Sequence, residues 1–225
     1  MMAISDSLQI TKTRIAAACV AAGRPPNAVQ LLVVSKTFPG SAVREAFAAG
    51  ARAFGENYVQ EGLAKVEELA DLRRQIEWHL IGPLQSNKTK LVAEAFDWVD
   101  SVDRLKIAQR LSEQRPADLP PLNICLQVNI SAEASKSGLL PDEVATLARQ
   151  VATLPRLKLR GLMAIPEPGP GALAQHQAMA ALFESLKAEG LPLDTLSLGM
   201  SADLEDAIQA GSTMVRVGSA IFGAR

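Results

Sequence analysis

Lys36 stands directly after Leu31-Leu32-Val33-Val34-Ser35, a short run that is apolar until its last residue. A lysine at the end of such a run is partly desolvated, and desolvation disfavours its ammonium form. The neutral amine is a nucleophile toward carbonyl carbon, which is Schiff-base chemistry. The alternative is a side chain that lays its stem on apolar surface and keeps its charge in water. Ser201 follows Gly199-Met200, and Gly218-Ser219 follows the apolar stretch Thr213-Met214-Val215-Arg216-Val217. Turns that open onto helix N-termini present N–H groups able to bind phosphate without a basic residue. The same residues also read as a helix cap and chain-turning glycines. Asp203, Glu205 and Asp206 suit the dipole of the helix that Ser201 is expected to cap, although they would repel an anion that they faced. Arg216 lies between Val215 and Val217 and, if buried, needs a partner, either a core carboxylate or a ligand atom. His79, inside Ile76-Glu77-Trp78-His79-Leu80-Ile81, is either a satisfied structural histidine or an acid–base group.

These side chains gain meaning from the elements that carry them. Apolar runs at 31–35, 53–55, 76–81, 97–99, 123–130, 157–163, within 193–198 and at 213–217 predict strands. Helices are expected between them, bounded by glycine and proline. Gln60 stands at a capping-box position for a helix that begins at Asn57, and Pro141 suits a first helical turn. Pro116, Pro120-Pro121 and the segment 166–171 mark loops. A leading amphipathic helix over about 5–22 ends at Gly23 and Pro25. Eight strand–helix units after one extra helix point to a single (β/α)8 TIM barrel, with a doubly wound sheet as the rival. In such barrels chemistry gathers at the C-terminal strand ends. Those ends bring together Lys36, Glu56, Asn57, His79, Ser101, Asn129, Met163, Ser197 to Ser201 and Arg216 to Ser219.

Composition narrows the function. The 225 residues fit one large domain, 1–225, and 48% of them are apolar, enough for a substantial core. Twenty-three basic against 24 acidic residues leave a net charge of −1, which offers no footprint for a phosphate backbone. Aromatic residues are only 4% of the chain, too few for a base-stacking platform. No nucleic-acid partner is expected. Cys19 and Cys125, with His79 and His176, do not form a zinc pattern, so no metal is expected and the cysteines read as reduced. No run approaches the roughly 20 apolar residues of a membrane span, and the stretch before Cys19 is too short for a signal sequence. The expectation is a cytoplasmic protein.

A lysine amine, a phosphate cup and an arginine in one barrel mouth are the parts of a pyridoxal 5′-phosphate (PLP) site. The chain also carries Val33-Val34-Ser35-Lys36-Thr37, Phe54-Gly55-Glu56-Asn57-Tyr58-Val59-Gln60-Glu61 and Trp78-His79-Leu80-Ile81-Gly82-Pro83-Leu84-Gln85-Ser86-Asn87-Lys88. Gly161-Leu162-Met163-Ala164-Ile165, Leu198-Gly199-Met200-Ser201-Ala202-Asp203 and Val215-Arg216-Val217-Gly218-Ser219-Ala220-Ile221-Phe222-Gly223 follow in order. In these segments it closely resembles the PLP homeostasis proteins, the YggS/PROSC family. The resemblance implies a barrel of the alanine-racemase N-terminal type, with PLP held as a Schiff base on Lys36. It further implies phosphate contacts from Ser201, Gly218 and Ser219, Arg216 facing the pyridine nitrogen, and Asn57 and Met200 lining the ring. Phe38, Leu80 and Ser219 depart from the family's usual residues, and Phe38 alters the expected site entrance.

The family is associated with vitamin B6 homeostasis and has no established catalytic reaction. An arginine at the ring nitrogen disfavours its protonation and weakens the ring as an electron sink. Racemases of this barrel type take a second acid–base group from an added β domain, for which this length leaves no room, and Tyr58 is an unsuitable substitute. The leading expectation is therefore a monomeric protein that binds, buffers or delivers PLP, with apo PLP enzymes as partners. The alternatives are a PLP-dependent racemase or lyase of low activity, and a cofactor-free aldolase using Lys36.

Overall fold

The computed structural model describes residues 2–133, 136–167 and 169–223. Eight parallel strands close a barrel in chain order, each paired to the next and β8 back to β1. They are β1 (Gln30–Val34), β2 (Ala53–Glu56), β3 (Glu77–Leu80), β4 (Trp98–Val102), β5 (Leu122–Val128), β6 (Leu157–Ala164), β7 (Thr195–Ser197) and β8 (Met214–Val217). Closure in sequential order excludes the doubly wound sheet. The helices are α1 (Ile4–Ala21), α2 (Gly40–Ala48), α3 (Val59–Glu68), α4 (Thr89–Ala95), α5 (Leu105–Gln114), α6 (Pro141–Ala152), α7 (Ala172–Ala188), α8 (Leu204–Ala210) and α9 (Ser219–Phe222). The loop expected over 166–171 is described except at Pro168, which lies outside the described residues.

Alternation along each strand divides the apolar residues between two places. Outward side chains such as Val33, Phe54, Trp78 and Val99 pack beneath the helices. Inward side chains fill the barrel with one group of Leu32, Ala53 and Met214 and another of Trp98, Cys125 and Met163. The interior is thus a packed core, not a pore. Each large aliphatic chain buried there contributes roughly 1.5–3 kcal/mol. Cys19 and Cys125 are buried and unbridged.

The leading helix α1 buries Leu8, Thr11, Ile15 and Cys19, a stripe at helical spacing. It packs across α2, α8 and α9.

Two helix starts differ from expectation. α3 begins at Val59 with Tyr58 as its cap residue, so Gln60 does not sit at a capping-box position. α8 begins at Leu204 with Asp203 as its cap residue, so Ser201 lies two residues upstream and caps nothing. Asp203 wins because its carboxylate reaches back to the N–H of Met200 at 2.7 Å and closes the turn there. β4 runs further than the expected 97–99, since its polar Asp100 and Ser101 are buried and partnered, Asp100 by His79 of β3 and Ser101 by the Gly82 carbonyl in the loop after β3. No helix among the described residues is long and apolar enough to cross a membrane.

Candidate functional site

A cavity of about 680 Å³ opens at the C-terminal ends of the strands. Lys36, Asn57, Met200, Ser201, Arg216, Gly218 and Ser219, every residue singled out in the sequence as a binding residue, line it. Gln127, Lys136 and Ser137 line its β5 side, where no local sequence signal marks the loop after β5 as part of a site. Tyr58 is exposed and does not line the cavity. Phe38 does line it and stacks on Phe222, ring centroids 4.7 Å apart.

Arg216 points inward from β8 and is buried, 4% exposed, at the cavity wall. Its Nη1 donates to the carbonyl and hydroxyl of Ser197, each at 2.8 Å, and Nη2 to the Ala164 carbonyl at 2.8 Å. These neutral acceptors at the ends of β6 and β7 fix the guanidinium plane. A core carboxylate is therefore not its hydrogen-bond partner. Burial pulls its pKa below the usual arginine range, while Asp100 and Asp203 act against that shift. A guanidinium has five N–H groups, so Nε and the remaining Nη2 hydrogen are available to a cavity ligand among the described residues.

The backbone on either side of Lys36 is pinned from behind. Lys65, buried on α3, donates to the Ser35 carbonyl at 2.6 Å, to Glu56 Oε1 at 2.8 Å and to Glu61 Oε1 at 2.7 Å. Ser35 Oγ donates to Glu56 Oε1 at 2.5 Å, and the Thr37 N–H donates to Glu61 Oε1. Thr37 adopts φ +65, a left-handed conformation that needs such support. Burial raises the Glu56 pKa, and the Lys65 and Ser35 hydrogen bonds oppose it. Half-buried Lys36 is thus carried on a strand end that has little freedom to move.

The opposite wall comes from the turns after β7 and β8. Gly199 has φ +94, and a Cβ there would lie 2.6 Å from the Ala207 Cβ. Only glycine lets the turn pass so close to α8. A Cβ on Gly218 would lie 2.8 Å from the Val34 carbonyl, so glycine keeps the ends of β8 and β1 together. The hydroxyls of Ser201 and Ser219 sit 3.4 Å apart across the two turns. The expected short helical turn after Gly218 is α9, whose first N–H groups have no acceptor within so short a helix. Asp203 does not line the cavity. Its Oδ2 meets His176 Nε2 at 2.9 Å, and its pKa is lowered because the His176 and Met200 hydrogen bonds outweigh burial.

His79 does not reach the cavity lining. Its Nδ1 lies 3.1 Å from Asp100 Oδ2 and its Nε2 3.2 Å from Glu77, with the ring stacked on Trp98. Burial alone would lower its pKa, but Asp100 and then Glu77 push it up to about 9. This is the satisfied structural histidine. Among the described residues no group of His, Cys, Asp and Glu could hold a metal ion.

An amine, a guanidinium with unused donors, and a pair of hydroxyls beside helix-start N–H groups face one apolar-walled cavity. That donor set fits an aldehyde, a ring-nitrogen acceptor and a phosphate ester.

The alanine racemase N-terminal domain family matches residues 16–225. The chain is 62% identical over its whole length to the pyridoxal phosphate homeostasis protein of Pseudomonas aeruginosa, covering 97% of that protein. It is 56% identical to the protein of the same description from Escherichia coli K12, covering 99% of this chain and 97% of that one. Among solved structures, PipY of Synechococcus elongatus with PLP bound superposes with a TM-score of 0.80 at 38% identity, covering 93% of this chain and 100% of PipY. Alanine racemase from Corynebacterium glutamicum gives a TM-score of 0.71 at 17% identity, covering 98% of this chain and 61% of the racemase, which shows the shared barrel alone.

Proposed function

The chain belongs to the alanine racemase N-terminal domain family and, within it, to the pyridoxal phosphate homeostasis proteins, and on that premise we propose that it binds PLP as part of vitamin B6 homeostasis. The observation that carries the reading is the convergence of Lys36 and Arg216 with the Ser201 and Gly218-Ser219 turns on one cavity. In this reading Lys36 would hold the cofactor by a Schiff base, its amine condensing with the aldehyde with loss of water. Ser201, Gly218 and Ser219 would hold the phosphate. Asn57 and Met200 would line the ring, and Arg216 would serve as donor to the ring nitrogen.

PLP supplies a reactive aldehyde and an electron-withdrawing ring when bound. The residues around it favour holding over turning over. Arg216 keeps its charge and opposes a second positive charge at the atom it faces, which weakens the ring as an electron sink. The pinned backbone at 35–37 fixes the point from which the Lys36 side chain extends. The role is that of a non-enzymatic carrier that binds, buffers or delivers PLP. We read the chain as one PLP-binding barrel domain over 1–225, monomeric and cytoplasmic, with apo PLP enzymes as recipients.

The test loads the protein with PLP and mixes it with an apo PLP enzyme or with buffer alone. Transfer to the enzyme faster than release into buffer supports delivery, and equal rates support buffering. Exchange of an amino acid's α-hydrogen faster than with free PLP would instead indicate a weak enzyme.

A further inference from the structure

We propose that Arg14, on the helix that precedes the barrel, is a positioning residue for the phosphate-binding turn and makes the site selective for phosphorylated over phosphate-free cofactor. The inference rests on the PLP reading above and assigns a role to α1, which lies outside the barrel. Arg14 Nη1 donates to the Ser201 carbonyl at 2.8 Å. Its Nε and Nη2 grip Glu205 Oε1 and Oε2 at 2.5 and 2.6 Å. Ser201 lies in the turn after β7, and Glu205 in the first turn of α8. One planar fork therefore spans both ends of the segment 201–205, a geometry that a lysine amine cannot reproduce.

The segment needs such a hold. Met200 and Ala202 are exposed and Ser201 is half-buried, so burial does little to order it. On its other side Asp203 ties the Met200 N–H to His176 of α7. That tie acts on the residue before Ser201, and the Arg14 bond acts on Ser201 itself. With its carbonyl held by α1, Ser201 keeps its hydroxyl at the cavity wall, 3.4 Å from that of Ser219. Loss of the Arg14 contact would cost little global stability. The Arg14–Glu205 pair is 37% and 51% exposed, and exposed ion pairs contribute little. What it would cost is the preorganisation of the turn for a phosphate.

The experiment measures the affinities of wild type, Arg14→Met and Arg14→Lys for two probes, PLP and 5′-deoxypyridoxal. The second carries the aldehyde and ring but no phosphate. Arg14→Met is expected to weaken PLP binding about tenfold, the scale of one charge-assisted hydrogen bond. Binding of 5′-deoxypyridoxal should stay within about twofold, and Arg14→Lys should recover only part of the loss. Melting temperatures report folding, and the lysine variant carries the comparison if the methionine variant is unfolded. Unchanged PLP affinity, or equal losses for both probes, overturns the positioning role. A wild type that does not bind PLP overturns the PLP reading and this inference with it. A wild type that binds PLP beside indifferent Arg14 variants overturns the inference alone.

Discussion

The buried His79 makes stability depend on pH in a direction that can be worked out. Asp100 and Glu77 outweigh burial and push its pKa to about 9, against an ordinary 6.5. A group whose pKa is raised by folding stabilises the folded state fully below its unfolded pKa. That contribution fades as pH rises through the folded value. The window is therefore pH 6.5 to about 9. At about 1.4 kcal/mol for each pH unit, the imidazolium contributes about 3 kcal/mol at pH 6 that is gone by pH 10. His79→Gln keeps donors and acceptors near Asp100 and Glu77 but cannot titrate. Urea unfolding of both proteins at pH 6, 8 and 10 isolates the histidine, since other titrating groups are common to both. Wild type should lose about 3 kcal/mol more than the variant between pH 6 and pH 10. Parallel curves, or an imidazole that titrates below 6.5 by NMR, would refute this account of the barrel interior.

Other perturbations probe the walls of the cavity. Gly199→Ala forces a side chain into a left-handed turn and against Ala207, and should lower stability by about 1–3 kcal/mol in thermal unfolding while weakening PLP binding. Lys65→Met leaves buried Glu56 without its cation and should cost about 3–5 kcal/mol in urea unfolding. Arg216→Met leaves the Ala164 and Ser197 oxygens without a donor, about 1–3 kcal/mol for each, and titration should show weaker PLP binding.

Much of the fold was legible because its strands are short apolar runs punctuated by glycine and proline. The residues that line the cavity were legible because a barrel puts strand ends together, so position along the chain predicts convergence. The identity of a cap was less so. Ser201 and Asp203 are both good cap residues, and only the turn geometry decides that Asp203 closes it. The partner of Arg216 could not be read either, since its acceptors lie on two other strands. Two supports of the site were hidden altogether. Lys65 reaches Ser35 across 30 residues, and Arg14 reaches Ser201 across 187. Each resembles an ordinary surface cation in its own helix, and only tertiary packing shows what it holds.

PLP carried on the Lys36 amine would be fixed there by a hydride reductant. Borohydride reduction of the loaded protein, followed by peptide mass mapping, tests it most directly. A reduced pyridoxyl adduct on Lys36 is expected, with loss of the visible Schiff-base absorbance in Lys36→Ala. An adduct on another lysine, or unaltered absorbance in that variant, would contradict it.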